Sequence, residues 1–374
     1  MLNLLTKTKP WMVASLLVAA SVFAQDNAKC APKDSCKPCP KPCPQPNPPT
    51  QLCPAPQSPC CPPWPVPVLN AAYNYPARIT TRCPWDISFD ASFIYWQPIQ
   101  ENMELGVNVN AGSDTVINMD FDYKPGFKVG LGGNFDYDNW DIRAGYTWFH
   151  NTNSTAFVAA EGTIASLYGN PTALAEEGFS AVGQKWRLRM DIAELVLGRW
   201  NYVGTKLTVR PNIGARGAWI RQNLTAEFGA DGVIVDTIAA KSTSWAVGPQ
   251  IGLDANWNLG EGFRFFGNAE GDILYTRYNN LSTAHTDDAG EVNTVSQRKY
   301  GTLRTHLDLE LGFGWGTYLD CNNWYMDFAL GYGFQVFFDQ NMFRRFTQVE
   351  SYNSISPNGN LYVQGLTVTF KLDF

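Results

Sequence analysis

From Trp85 to Phe374 apolar and polar positions alternate with a period of two, in segment after segment. WDISFDASFIYW sets Ile87, Phe89, Ala91, Phe93 and Tyr95 on one face and Asp86, Ser88, Asp90 and Ser92 on the other. GFKVGLGGNF aligns Phe127, Val129, Leu131 and Phe135, and NWDIRAGYTWFH aligns Trp140, Ile142, Ala144, Tyr146 and Trp148 against Asp141, Arg143 and Thr147. KWRLRMDI places Trp186, Leu188, Met190 and Ile192 opposite Arg187, Arg189 and Asp191. KLTVRPNIGARGAW places Leu207, Val209, Ile213 and Trp219 opposite Lys206, Arg210, Asn212 and Arg216. Further segments start near Trp245, Phe263, Leu303 and Trp324, and the chain closes on LYVQGLTVTFKLDF, in which Leu366, Val368, Phe370, Leu372 and Phe374 share a face. Period two means strands, with one face toward lipid and the other toward a lumen.

About ten strands result, each near the length that crosses a bilayer when tilted. Short connections at 136–139, 200–205, 259–262 and 318–323 alternate with long ones at about 98–125, 150–184, 222–242, 278–300 and 340–360. Loops sorted by length, Trp at strand ends and strands this long argue against a soluble sandwich. The expected fold is all-β: a transmembrane antiparallel up-and-down β-barrel over 85–374, about ten strands, with more able to hide in the long loops. An even strand number follows if both termini are periplasmic.

Residues 1–24 read as a secretory signal: Lys7 and Lys9, an apolar run from Trp11 to Phe23 too short to span, and Val22 and Ala24 at a cleavage site. Lipidation at Cys30 fits poorly, because the charged Lys29 precedes it. Residues 25–84 form a Cys/Pro-rich extended segment, a tether outside the barrel. It carries 17 of the 24 prolines between Pro32 and Pro84, and proline excludes helix and central strand.

Composition changes the picture in two ways. The net charge of -6 becomes -8 once Lys7 and Lys9 are removed, which excludes a nucleic-acid partner. The mean hydropathy of -0.22 suits a half-polar barrel, and 14% aromatic residues with 13 Trp suit interfacial girdles.

Nine cysteines occur: Cys30, Cys36, Cys39, Cys43, Cys53, Cys60, Cys61, Cys83 and Cys321. In an exported chain disulfides are the default. The odd number leaves a thiol free or joined to another chain, so the segment can cross-link barrels to each other or to cysteine-rich envelope proteins; scattered intrachain bridges are the competing reading. Cys321 sits in a short periplasmic turn, where a bridge to Cys83 is geometrically open. Cys36 and Cys39 have metal-ligand spacing without a matched second pair, so no metal and no cofactor is expected.

Candidate chemistry is sparse. Of His150, His285 and His306, His306 shares a strand face with Asp308, two residues away, and no second constellation supports an enzyme. Gly130 and Gly132 are strand glycines that make room for neighbours. The charged lumenal positions divide into a basic set (Arg187, Arg189, Lys206, Arg210, Arg216) and an acidic set (Asp254, Glu270, Asp272, Asp308, Glu310, with Asp327). Opposed walls would impose a transverse field on permeating ions. In a narrow barrel the same residues instead close the lumen as a plug of salt bridges.

FDYKPGFKVGLGGNF, WDIRAGYTWFH, SFIYWQP, RPNIGARGAWI and QGLTVTFKLDF, in that family's arrangement, resemble the Legionella-type major outer membrane protein family over about 85–374. The resemblance implies a pore-forming protein of the bacterial outer membrane: a porin passing ions and small solutes, or, as the alternative, a structural or adhesive barrel without an open pore. It supplies no catalytic residues. It also implies that the terminal aromatic, Phe374, is read by the barrel-assembly machinery, and that outer-membrane lipids are partners.

Overall fold

The computed structural model describes residues 77–81, 86–109, 113–135, 138–159, 163–167, 178–230, 232–287, 289–345 and 358–374. Residues 1–24, read above as a secretory signal, and the cysteines before the first strand lie outside the described residues. Fifteen strands follow in chain order: β1 Ile87–Gln100, β2 Gly106–Asn108, β3 Thr115–Ile117, β4 Lys124–Asn134, β5 Trp140–Val158, β6 Ile164–Ser166, β7 Ala181–Arg199, β8 Asn201–Tyr202, β9 Leu207–Ala230, β10 Val233–Gly260, β11 Phe263–Thr286, β12 Val292–Gln297, β13 Tyr300–Leu319, β14 Trp324–Asn341 and β15 Gly359–Asp373.

Ten of these (β1, β4, β5, β7, β9, β10, β11, β13, β14 and β15) pair antiparallel with their sequence neighbours and close into a ring through β1 and β15. Closure removes both sheet edges, so every barrel strand finds backbone partners without water. The stagger follows from the register. Starting at Ser88, paired residues lead through Gly132, Arg143, Val196, Gly214, Gln250, Asp272, His306, Phe337 and Leu361 back to β1 at Gln100, twelve residues further on. With ten strands, strand rise and spacing then set a tilt of about 40° and a backbone radius of about 10 Å.

Tight turns lie at one end. Glu261 and Gly262 join β10 to β11 with φ of 52° and 83°, both left-handed as a two-residue hairpin requires. Asp138 and Asn139, and Asp320, Cys321 and Asn322, are likewise left-handed. Both ends of the ring, Ile87 and Asp373, are on this side, where Phe374 N–H donates to the Ile87 carbonyl at 3.0 Å.

The outward residues of the lower barrel are apolar: Phe89 and Phe93 on β1, Leu195 and Leu197 on β7, Ile213 on β9, Ile251 and Leu253 on β10, Leu307, Leu309 and Leu311 on β13. On β9 this row runs from Leu207 to Trp219, about 30 Å along the barrel axis. Aromatics mark both rims. Tyr95 stacks on Tyr123 at 5.4 Å and Trp245 meets Tyr275 at 6.0 Å above; Trp324 meets Phe374 at 4.9 Å and Phe263 meets Trp315 at 6.4 Å below.

Several strands continue far beyond the upper rim. The stretch 222–242, expected as a long loop, is a continuous hairpin: β9 runs to Ala230 and β10 restarts at Val233. Both ends of the expected loop 150–184, residues 150–158 and 181–184, are the upper parts of β5 and β7. The alternation persists there with its phase inverted. On β9 the apolar residues shift from odd positions, ending at Trp219, to even ones at Ile220, Leu224, Ala226 and Phe228, which are buried. A sleeve standing in water needs its apolar side inward, whereas a span in lipid needs it outward.

Candidate functional site

The lumen has two storeys. The lower one is polar and built around arginines. Arg210 on β9 donates from Nε to both oxygens of Asp141 at 3.0 Å and from Nη1 to Asp254 at 2.7 Å. Arg216, further up the same strand, reaches Asp272 at 2.7 Å, Glu194 at 2.9 Å and Glu270. Arg264 pairs with Asp327, and Arg143 with Asp90 at 2.8 Å. His306 Nδ1 stands 2.6 Å from Asp272 Oδ2, so its acid comes from the neighbouring strand β11 and not from Asp308, which accepts from Gln335 at 2.7 Å. Small residues opposite make the arginines and acids fit. A side chain at Gly198 would strike Arg210, and one at Gly145 would strike Glu194; Gly130 and Gly132 leave space for Asp90 and Ser88.

Of the ten charged residues expected to line the lumen, seven do. Arg210, Arg216, Asp254, Glu270, Asp272, Asp308 and Glu310 face inward on β9, β10, β11 and β13. Three do not. Arg187 and Arg189 are exposed on the outside of β7, whose inward residues Trp186, Leu188 and Met190 are fully buried. The alternation of KWRLRMDI holds, but its faces are the reverse of those expected, because this stretch lies above the lipid. Lys206 is exposed in the turn before β9, outside the barrel wall. The opposed basic and acidic walls are therefore absent: cations and acids interdigitate. Asp90, Asp141, Arg143, Glu194 and Arg264 complete the network, and the alternation around Asp90, Asp141 and Arg143 already placed those three opposite the apolar face.

A cavity of about 450 Å³ remains among these groups. Below, it is bordered by Ala77, Arg78 and Ile79 from the end of the segment read as an outside tether. Ala77 N–H donates to the Trp200 carbonyl at 3.2 Å, Arg78 pairs with Asp86, and the Thr80 backbone meets the Tyr318 hydroxyl. These contacts lie on strands far apart around the ring, so residues 77–80 cross the periplasmic mouth.

The upper storey is built around a buried apolar cluster, with Asn151, Asn153, Gln184 and Gln222 buried at the same level. Ile94 and Trp96 (β1), Phe149 (β5), Trp186, Leu188 and Met190 (β7), Leu224 and Phe228 (β9) and Leu361 and Val363 (β15) belong to one apolar cluster, each at most 2% exposed. The small sheet β3-β2-β6 lies in the extracellular loops, and from it and its flanks Leu105, Ile117, Met119 and Ile164 pack into the same cluster, as does Phe343 of the one-turn 3₁₀ helix Phe343–Arg345. With a backbone radius of about 10 Å, side chains from eight of the ten barrel strands and from three loops meet across the lumen.

The histidines each lean on an acid: His150 on Asp191 at 3.4 Å, His285 on Asp236 at 2.6 Å and His306 on Asp272. No group of three His, Cys, Asp or Glu suited to a metal occurs among the described residues. Cys321 is exposed and unbonded among the described residues; Cys83, its suggested partner, lies outside them.

A closed antiparallel ring, an apolar outer band and two aromatic rims define a transmembrane β-barrel of the bacterial outer membrane. Residues 80–374 match the family described as Legionella pneumophila major outer membrane protein precursor, and the chain belongs to that family. No curated protein matches it. Among solved structures it is similar to the outer membrane protease OmpT from Escherichia coli (9% identity, 79% of this chain and 99% of that chain, TM-score 0.41). It is also similar to a major outer membrane protein from Thermus thermophilus (11%, 76% and 99%, 0.30) and to the Ralstonia pickettii toluene transporter TbuX (9%, 77% and 89%, 0.28).

Proposed function

We propose that the protein acts as a structural or adhesive barrel of the outer membrane, its lumen closed at rest and its sleeve presented at the cell surface. One observation carries this reading: the buried apolar cluster around Phe149, Trp186 and Leu188 occupies the lumen above the ion-pair network. Most of that cluster belongs to barrel strands, so moving a loop aside does not empty it. The reading includes no catalytic step, since His306 is fully buried. It includes cross-linking of the envelope through the N-terminal cysteines and Cys321, for which a non-reducing gel of intact cells is the check: monomer alone speaks against it.

The porin reading has its own support in the 450 Å³ charged cavity, the vestibule that a conducting form would need. Planar-bilayer recording on the folded full chain decides between them. A silent bilayer, with folding verified by circular dichroism, is the expected result. Discrete conductance steps from the unmodified protein overturn the closed-barrel reading and establish the porin, and the surplus of lumenal acids over arginines then calls for cation preference.

A further inference from the structure

The outside of the sleeve carries a basic patch on one side of the barrel. Lys185, Arg187 and Arg189 on β7, Arg221 on β9 and Lys241 on β10 are all exposed. Register sets Arg189 directly across from Arg221, and Asn223 across from both Arg187 and Lys241. The patch thus spans three adjacent strands, about 10 Å of sheet. None of the five has an ion-pair partner among the described residues. On the same outward face the acids are Asp191, taken up by Tyr146 Oη at 2.9 Å and His150 at 3.4 Å, and Glu227 nearer the tip. Like charges directly opposed across a strand pair are destabilising, so Arg189 against Arg221 calls for an anion from outside the chain.

Height identifies that anion. Arg221 is the next outward residue above Trp219, the top of the lipid-facing row, and Lys241 lies two outward positions above Trp245. This is headgroup level, where aromatic rims sit. Across the barrel the same level carries Gln97 and Gln364, without positive charge. A crevice of about 190 Å³ beside Arg187 and Arg189, between β5 and β7, adds concavity.

We propose that this patch binds the phosphate groups of phosphorylated lipids in the outer leaflet, with Arg189 and Arg221 sharing one phosphate and Arg187 and Lys241 flanking it. Guanidinium groups match phosphate oxygens in pairs. The bound phosphate relieves the Arg189–Arg221 repulsion and fastens the sleeve at a fixed height. The inference rests on the outer-membrane placement and is independent of whether the lumen conducts.

The test is retention of lipid A by the folded full chain in detergent, read by native mass spectrometry, beside dephosphorylated lipid A and inorganic phosphate. Phosphorylated lipid A is retained and the dephosphorylated form is not. The Arg189→Gln/Arg221→Gln double variant loses about 30-fold in affinity, from about a fivefold contribution per arginine at a charged leaflet, while Lys206→Gln at the opposite end changes nothing. Without lipid the same double variant resists chemical unfolding better than the parent, a result that a misfolded variant does not give. Equal retention of dephosphorylated lipid A, or undiminished retention by the double variant, overturns the proposal. So does complete displacement of the lipid by millimolar phosphate, which assigns the site to a free anion.

Discussion

The lower barrel and the sleeve are one continuous sheet turned inside out. In the lower barrel Leu195 and Ile213 face out and Arg210 and Arg216 face in; in the sleeve Arg187 and Arg221 face out and Trp186 and Leu224 face in. Strand β7 makes the switch between Ile192, inward, and Leu195, outward. Backbone geometry is the same on both sides of the switch. What differs is the outer solvent: hydrocarbon below, water above. The interior compensates in each case, with ion pairs where the outside takes the apolar side chains and with an apolar cluster where it does not.

The contrast is broken most forcefully from the inside of the sleeve. Trp186→Ala removes a fully buried indole and is expected to cost roughly 3–5 kcal/mol, measured by chemical unfolding of the folded barrel in detergent. A change below about 1 kcal/mol would mean that the sleeve contributes no core. Arg216→Met leaves Glu194, Glu270 and Asp272 without their common cation. The expected loss is about 3 kcal/mol, the lower end for a broken buried pair, because the cavity beside it admits water. Compensation by Glu270→Gln in the same background would confirm that the unpaired acids are the cause.

One strand then serves as its own control. Leu195→Arg puts a charge near the middle of the apolar band and is expected to cost about 2–4 kcal/mol in vesicles. Arg187→Leu, higher on the outward face of the same strand, is expected to stay within about 0.5 kcal/mol in zwitterionic vesicles free of lipid A. Equal costs at the two positions would mean that no boundary between lipid and water falls between them.

The smallest effect concerns a contact at the extracellular end of β1. Partial burial raises the Glu101 carboxyl, but hydrogen bonds from Tyr362 Oη at 2.5 Å and Asn360 N–H at 2.9 Å outweigh it and hold the group below its ordinary 4.5. A carboxyl depressed in the folded state stabilises above its unfolded value, and that contribution fades as pH falls through the folded value. Tyr362→Phe should therefore bring the Glu101 titration, followed by NMR, back toward 4.5.

Much of this was legible in the chain itself. The terminal alternation to Phe374, the tight turns at 259–262 and 318–323 and the aromatic rims are local matters of period, turn chemistry and composition, and each appears in the fold where the pattern put it. Seven of the ten charged lumenal residues were legible for the same reason: within the membrane, a charge on an alternating strand has one face left to it. The partners were not legible. His306 meets Asp272 on the next strand and not Asp308 two residues on, because pairing across strands depends on register, which twelve residues of stagger distribute around the ring.

The amino-acid sequence by itself determined that the chain alternates, where it makes its tight turns at the lower end, and which positions share a face; a period of two is a property of the backbone and needs no neighbours. Which face is inside was decided by the tertiary structure. KWRLRMDI reads identically for a strand with Trp186 in lipid and for one with Trp186 in a core, since alternation records only that two environments differ. Height along the barrel axis, set by tilt, stagger and the aromatic rims, tells lipid from water and so directs Arg187 and Arg189 outward and Arg216 inward.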